Sequence, residues 1–298
     1  MSKNASGAVR RASRALVQAG RVLTGKQMAG RNLTIFPDDV FLTSYPRSGN
    51  TWTRFLIGNL IHQDDPITFA NVESRIPEIY FNSDHSLRKL PRPRILKSHE
   101  CFQPQYPRII YIIRDPRDVA VSFYYHNVKA GNIPDHYPME AFIPRFIAAE
   151  FDSKWGSWSD NVFSWLSLRE HHPGFILLRY ETMKENPFPE LMRLGSFLEK
   201  CSFPKIDTSP DKLQHALELS SPERMRALEK QQSASWVLTK NTRADKPFVR
   251  SAKAGGWRST LSPKSIADIE SAWGPLMEKL GYELVSHSKT QAVRSSHD

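Results

Sequence analysis

One stretch of the chain, residues 40–61, constrains the fold more than any other. It begins with an apolar run that predicts a buried strand and ends with apolar residues at helical spacing that predict a helix. The polar loop between them carries one cation, two hydroxyl groups and one glycine: Arg47, Ser48, Thr51 and Gly49. A strand, a tight loop and a helix leave free backbone N–H groups facing an anion. We therefore predict that this loop grips a phosphate or sulfate ester, with an ordinary strand-to-helix turn as the alternative.

Composition sets the scale of the molecule. The 298 residues, 40% of them hydrophobic, are enough for one large α/β domain or two small ones. The formal net charge of +10 suits an anionic ligand, but also nucleic acid or an anionic membrane. Two cysteines, Cys101 and Cys201, form neither a disulfide framework nor a metal motif, which favours a reducing, cytoplasmic location. No apolar run approaches about 18 residues, so no membrane span is expected.

The chain divides into three parts by composition. Residues 1–34 are basic and nearly free of acids, and they predict a helical or flexible extension. A peripheral contact of this extension with an anionic membrane, or a targeting role, is the alternative. Residues 35–285 are expected to form a single domain, and residues 286–298 a flexible tail.

A second polar strand end follows at residues 94–99. Side chains alternate along a strand, so Lys97 and His99 point to the same side. An imidazole titrates near neutral pH, which makes His99 a candidate general base. The preceding loops, residues 62–93, are expected to supply part of an acceptor pocket. Its candidate walls are aromatic, with core packing as the alternative: Phe69, Tyr80 and Phe81.

Two further apolar strands end in polar residues. Residues 108–113 predict a central strand, after which Asp115 can cap a helix that starts at Pro116. Arg114 stands at that strand end and Ser122 lies two turns into the helix; an Arg114–Asp118 ion pair is the alternative role for the arginine. Residues 175–179 predict another buried strand, which ends at Tyr180.

These motifs, in this order, resemble the sulfotransferases that use 3'-phosphoadenosine-5'-phosphosulfate (PAPS). Y-P-R-S-G-N-T-W at residues 45–52 resembles the loop that opens their cofactor site, usually Y-P-K-S-G-[TN]-T-W. L-K-S-H, R-D-P-R-D-x-x-x-S, Y-E-T and the segment from Arg250 to Trp257 resemble four more family motifs. The resemblance implies an α/β fold in which a P-loop-like central parallel β-sheet is flanked by helices on both faces.

The resemblance also implies site residues. His99 would be the catalytic base, and Arg47 and Lys97 would stabilise the leaving oxygen. The residues implied to bind the nucleotide are Arg47, Ser48, Gly49, Asn50, Thr51, Trp52, Arg114, Ser122, Tyr180, Ser221, Met225, Arg250, Ser251 and Ala252. No metal is implied, since fixed cations take its place.

Four positions depart from the family pattern. Arg47 replaces a lysine, Pro222 replaces a phenylalanine that covers the adenine, and Ser251 and Ala252 replace lysine and glycine. Lys253 is a candidate replacement for the missing cation. The polar segment 232–258 that contains the last two departures is expected to be a mobile flap ordered by nucleotide.

The sequence thus predicts transfer of a sulfuryl group from PAPS to a hydroxyl or amine of a small-molecule acceptor. A nucleotide- or polyanion-binding relative with weakened catalysis, and a P-loop kinase, are the alternatives. The kinase motif G-x-x-x-x-G-K-[ST] is missing from the loop. No nucleic-acid partner is expected, and acceptor identity and oligomeric state stay open.

Overall fold

The structure, a computed structural model, describes residues 28–286. Most of the basic extension and of the predicted tail, residues 1–27 and 287–298, lie outside the described residues. No helix within the described part is long and apolar enough to cross a bilayer.

Four strands form the sheet, and helices fill most of the chain between them. The strands are β1 (Val40–Ser44), β2 (Ile95–Ser98), β3 (Arg108–Ile113) and β4 (Phe175–Arg179). The helices are α1 (Asn50–Ile61), α2 (Val72–Arg75), α3 (Asp84–Leu87), α4 (Pro116–Ala130), α5 (Met139–Ile147), α6 (Trp158–Arg169), α7 (Tyr180–Glu185), α8 (Pro187–Lys200), α9 (Pro210–Leu219), α10 (Pro222–Gln232) and α11 (Pro263–Lys279). Short 3₁₀ turns lie at Gly30–Asn32, Ser153–Trp155 and Gly256–Ser259.

All strand pairs of the sheet are parallel, in the order β2-β1-β3-β4. The chain runs from β1 to one neighbour, β2, and then crosses to β3 on the other side of β1. Ligands of parallel α/β sheets bind at the carboxyl ends of the strands where the order reverses in this way. The residues that directly follow β1, β2 and β3 therefore meet at one edge.

Both faces of the sheet are buried, which explains why the strands are nearly continuous apolar runs. In β3, Ile109 and Tyr111 pack into one core, and Ile110 and Ile112 into the other. The first core is covered mainly by α4, α5, α6 and α11, and the second by α1, α8 and α9. The predicted parallel α/β sheet with helices on both faces is confirmed.

Local sequence signals set the helix starts. The side chain of Asp115 accepts a hydrogen bond from the Arg117 N–H, and Pro116 occupies the first turn of α4, as predicted. The aromatic stretch before and within α6 is mostly core, because Trp158 and Trp165 are fully buried.

The polar segment 232–258 is held down by a third apolar cluster. Trp236 packs on Phe69 and Phe248, and Phe69 packs on Phe55 of α1. Phe69, a candidate pocket wall, is thus a core residue: its ring is only 2% exposed because it anchors this segment.

Candidate active site

A cavity of about 310 Å³ opens at the carboxyl edge of the sheet. Each strand end contributes to its wall: Arg47 follows β1, His99 follows β2, Arg114 follows β3 and Tyr180 follows β4. The wall also holds most of the other predicted residues, namely Gly49, Asn50, Thr51, Trp52, Lys97, Ser122, Met225, Arg250, Ser251 and Ala252. Residues spread over some 200 positions of sequence are therefore brought to one space.

The loop after β1 has the backbone of an anion cradle. Arg47 and Gly49 both have positive φ, 70° and 100°. Gly49 precedes α1, and none of the described side chains caps that helix start, so its first N–H groups stay available for a ligand. A Cβ on Gly49 would lie 2.5 Å from Cδ2 of Tyr180. Glycine is needed here because the backbone turns and Tyr180 approaches closely.

Three arginines converge on the cavity with too few carboxylates to neutralise them. Arg47 and Arg250 have no carboxylate partner among the described residues, and Arg114 lies 3.6 Å from Asp118. Burial, together with repulsion from Arg114 and Arg250, lowers the pKa of Arg47 to about 10. Such a cluster is stabilised when an anion enters.

Ser122 and Tyr180 orient two of these arginines. The Nε–H of Arg47 donates to Ser122 Oγ at 3.3 Å. The Arg114 guanidinium lies 4.2 Å from the centroid of the Tyr180 ring, and its Nε is buried without a hydrogen-bond acceptor among the described atoms. An unsatisfied buried donor of this kind fits a phosphate oxygen.

His99 is held as a neutral imidazole with one nitrogen free for chemistry. Its Nδ1 lies 2.7 Å from the carbonyl oxygen of Ser44. A carbonyl can only accept, so Nδ1 carries the proton and Nε2 presents its lone pair. Burial, and then the nearby charge of Lys97, lower the pKa of His99 well below its usual range.

Lys97 lies on the cavity wall but is already paired. Its Nζ donates to the carboxylate of Glu78, and both side chains are buried. Residues 77–79 run alongside β2, which fixes Glu78 beside this lysine. The family motif implies a role for Lys97 at the leaving oxygen, and in the structure this lysine is also the ion-pair partner of Glu78.

Two predicted residues do not reach the cavity wall, as far as the described residues show. Ser48 is 1% exposed, and its Oγ lacks a described partner. The hydroxyl of Ser221 caps the start of α10, where it accepts a hydrogen bond from the Arg224 N–H. Lys253, the candidate replacement cation, is not among the wall residues, and its carbonyl oxygen accepts a hydrogen bond from Arg114 at 2.9 Å.

Trp52 forms one side of the predicted base site. Its indole N–H donates to the Ser220 carbonyl at 3.1 Å, and its ring meets Tyr180 edge to face. Pro222 and Met225 both border the cavity, and Pro222 stands where the family motif has a phenylalanine.

Several wall residues carried no signal in the sequence. Glu78, His126, Asp152 and Lys154 line the cavity but stand outside the five motifs. Burial, ahead of repulsion from Arg47 and Lys97, lowers the pKa of His126 to about 3. Within residues 28–286, no cluster of histidine, cysteine and acidic side chains is arranged to hold a metal ion.

Comparison with known proteins identifies the family. The model of the sulfotransferase domain family matches residues 37–281. The chain belongs to this family. This sulfotransferase-family chain is 29% identical to mouse sulfotransferase 1A1 over 266 residues, 83% of this chain and 87% of that protein. It is 31% identical to dog sulfotransferase 1B1 over 180 residues, which span 55% of this chain and 60% of that relative.

Solved structures share the sulfotransferase fold. Mouse sulfotransferase SULT7A1 complexed with PAP has a TM-score of 0.63 and 23% identity, and the match covers 90% of this chain and 92% of that one. Retinol dehydratase in a complex with retinol and PAP has a TM-score of 0.67 and 20% identity, with 84% of each chain covered. The P-loop-like fold implied by the sequence motifs is confirmed.

Proposed function

We propose that the protein transfers the sulfuryl group of PAPS to a hydroxyl or amine of a small acceptor, releasing adenosine 3',5'-bisphosphate (PAP). The observation that carries the proposal is the meeting of three under-neutralised arginines with a neutral, oriented histidine in one cavity. Family membership supports it, as do the PAP-bound relatives, whose nucleotide is the product of this reaction.

In this proposal, separate groups of residues act on the acceptor and on the nucleotide. Nε2 of His99 takes the acceptor's proton as its oxygen attacks sulfur. The S–O bond to the 5'-phosphate breaks, and Arg47 with the amides at the start of α1 stabilises the charge on that oxygen. Arg114, Ser122 and Arg250 hold the 3'-phosphate, while Trp52 and Tyr180 border the adenine.

Lys97 has a different role in this proposal from the one that its motif implies. Because Lys97 is paired with Glu78, it does not contact the leaving oxygen directly in this proposal. Burial of His99, and then the charge of Lys97, lower the pKa of His99 and favour the unprotonated imidazole. We further propose that the protein acts in the cytoplasm, consistent with its two free cysteines.

The direct test is turnover of PAPS across a panel of phenols, alcohols and amines, read by the mass shift of the acceptor. His99→Ala is expected to lower transfer at least about 100-fold, the scale of a lost general base, while PAP binding survives. His85→Ala, an exposed histidine on α3, is the matched control and should leave turnover unchanged. Near-normal turnover by His99→Ala would remove the histidine from the mechanism, and no turnover of any acceptor by the unmodified protein would contradict the function.

A further inference from the structure

The part of the cavity around His99 is built from aromatic rings and carboxylates. The Trp155 ring centroid lies 5.8 Å from that of His99 and 4.7 Å from that of Tyr80. Glu78 and Asp152 also line the cavity, and both carry carboxylates. An acceptor whose oxygen reaches His99 must lie among these groups.

The two carboxylates differ in how they are neutralised. Glu78 is 4% exposed and paired with Lys97. Asp152 Oδ2 accepts one neutral hydrogen bond, from the Trp155 indole N–H at 2.7 Å, and has no ion-pair partner among the described residues. Among the described wall residues, Asp152 is therefore the carboxylate without an ion-pair partner, and Lys154 acts on it only through longer-range attraction.

We propose that the acceptor is a cationic amine that also bears the reacting hydroxyl, and that Asp152 binds its ammonium group. This inference rests on the proposed function, because it places the amine relative to the attacking oxygen at His99.

The contacts set the spacing between the two groups of the acceptor. Trp155 touches His99 through its ring and Asp152 through its indole nitrogen, so one indole separates the base from the carboxylate. A phenol or alcohol with its ammonium about one aromatic ring and a short alkyl chain away matches this span. The faces of Tyr80 and Trp155 add cation–π attraction beside the carboxylate.

Lys154 is the nearby protein cation that competes with such a ligand. Its Nζ lies 5.3 Å from the Trp155 ring centroid, and its side chain is exposed. It makes no ion pair with Asp152 in the structure, yet its charge lowers the attraction that an incoming ammonium feels. Removing this charge should therefore strengthen amine binding.

The test compares two acceptors of the same size, tyramine and 4-propylphenol, which differ by a charged amine against a methyl group. In the unmodified protein, kcat/KM is expected to favour tyramine. In Asp152→Asn, whose amide oxygen still accepts from Trp155, the tyramine value should fall about tenfold or more. The 4-propylphenol value should change less than about twofold, within the range of a neutral contact. Lys154→Met should increase the preference for tyramine.

A matched control and a second readout complete the experiment. Glu150→Gln removes a neighbouring surface carboxylate that pairs with Arg145, and it should preserve the preference. Calorimetry of each phenol with PAP-saturated protein measures recognition without turnover. If neither phenol is sulfated but tyramine still binds better and loses that advantage in Asp152→Asn, the proposed function fails and the ammonium site stands. Equal binding of the two phenols by the unmodified protein, or equal losses in Asp152→Asn, would overturn the ammonium site.

Discussion

Arg47 replaces the lysine that the family motif usually has, and the replacement changes what this side chain can do. In the proposed reaction, Arg47 therefore stabilises the leaving oxygen by charge and hydrogen bonding alone, because a guanidinium scarcely releases a proton. Burial, and then repulsion from Arg114 and Arg250, lower the pKa of Arg47 to about 10, and an anion beside these arginines would favour their charged forms.

The titration of His99 should show in the pH dependence of the reaction. Its pKa lies below the ordinary imidazole value of about 6.5, so the base stays neutral as the pH falls through that value. We expect the acidic limb of kcat/KM for PAPS, which reports the free enzyme, to lie below about pH 6.5. A bound anionic nucleotide favours the imidazolium and so raises the pKa of His99. At saturating PAPS, the acidic limb of kcat/KM for the acceptor should therefore lie at higher pH than the acidic limb of kcat/KM for PAPS. Limbs that coincide, or a reversed order, would contradict this assignment.

Arg114 should discriminate between nucleotides with and without a 3'-phosphate. Its unsatisfied Nε and its position over Tyr180 suit a phosphate group, and a charge-assisted contact is worth about tenfold to hundredfold in affinity. Arg114→Ala is therefore expected to weaken PAP binding by that factor and binding of adenosine 5'-phosphate much less, as measured by calorimetry. Arg88→Ala, a surface arginine paired with Asp84, serves as control. An equal loss for both nucleotides would refute the assignment.

At the scale of elements, two carboxylates accept hydrogen bonds from the backbone of the segment predicted to be a flap. One binds it at residues 248 and 249, and the other at residues 255 and 257. Glu229 of α10 accepts from the Phe248 and Val249 N–H groups, at 2.5 and 2.9 Å. Asp118 of α4 accepts from the N–H groups of Gly255 and Trp257, at 2.7 and 3.0 Å. Residues 250–254 lie between these contacts, and the first three of them, Arg250, Ser251 and Ala252, line the cavity. The charge of Arg250 has no described carboxylate partner.

We expect nucleotide to order this stretch, in keeping with the flap predicted from its polar sequence. Hydrogen exchange of residues 248–256 should slow when PAP is added, because Arg250 gains a phosphate partner. Adenosine 5'-phosphate, which lacks the 3'-phosphate, should slow it less. Strand β3, already buried on both faces, is the internal reference. Exchange that is unaffected by PAP would show that the segment is fixed without ligand.

The elements themselves were predictable where local patterns decide them. The strands are apolar runs ended by polar residues, and the starts of α4 and α11 carry a capping side chain followed by proline. The Lys97–Glu78 pair and the Asp152–Trp155 bond were not predictable, because nothing in the sequence spacing sets residues 77–79 beside β2 or turns Asp152 toward the cavity. Phe69 was ambiguous for the same reason: its core role depends on Trp236, far along the chain.

At the scale of the whole molecule, the cavity gathers fixed positive charge. The chain has 41 basic and 31 acidic residues, and the cavity gathers part of this excess at its nucleotide end. The cavity therefore carries positive charge of its own, on guanidinium groups from three separate loop segments: Arg47, Arg114 and Arg250.

Ligand-induced stabilisation should thus not depend on magnesium. PAP at about 100-fold above its Kd is expected to raise the midpoint of thermal unfolding by several degrees, since it binds only the folded protein. The same rise should be measured in EDTA and in magnesium, while adenosine, which lacks phosphates, should give little. A rise that requires magnesium would favour the kinase alternative.

Strand β1 lies inside the sheet, between β2 and β3, and its end contributes to two parts of the site. The Ser44 carbonyl at its end fixes the imidazole on one side, and three residues later the backbone begins the anion cradle. In the proposed mechanism, the end of β1 thus positions both the proton acceptor and the backbone groups that stabilise the leaving oxygen. Tyr80 and Asp152 stand on other segments of the chain, so substitutions there are expected to change acceptor preference more than the spacing between His99 and the anion cradle.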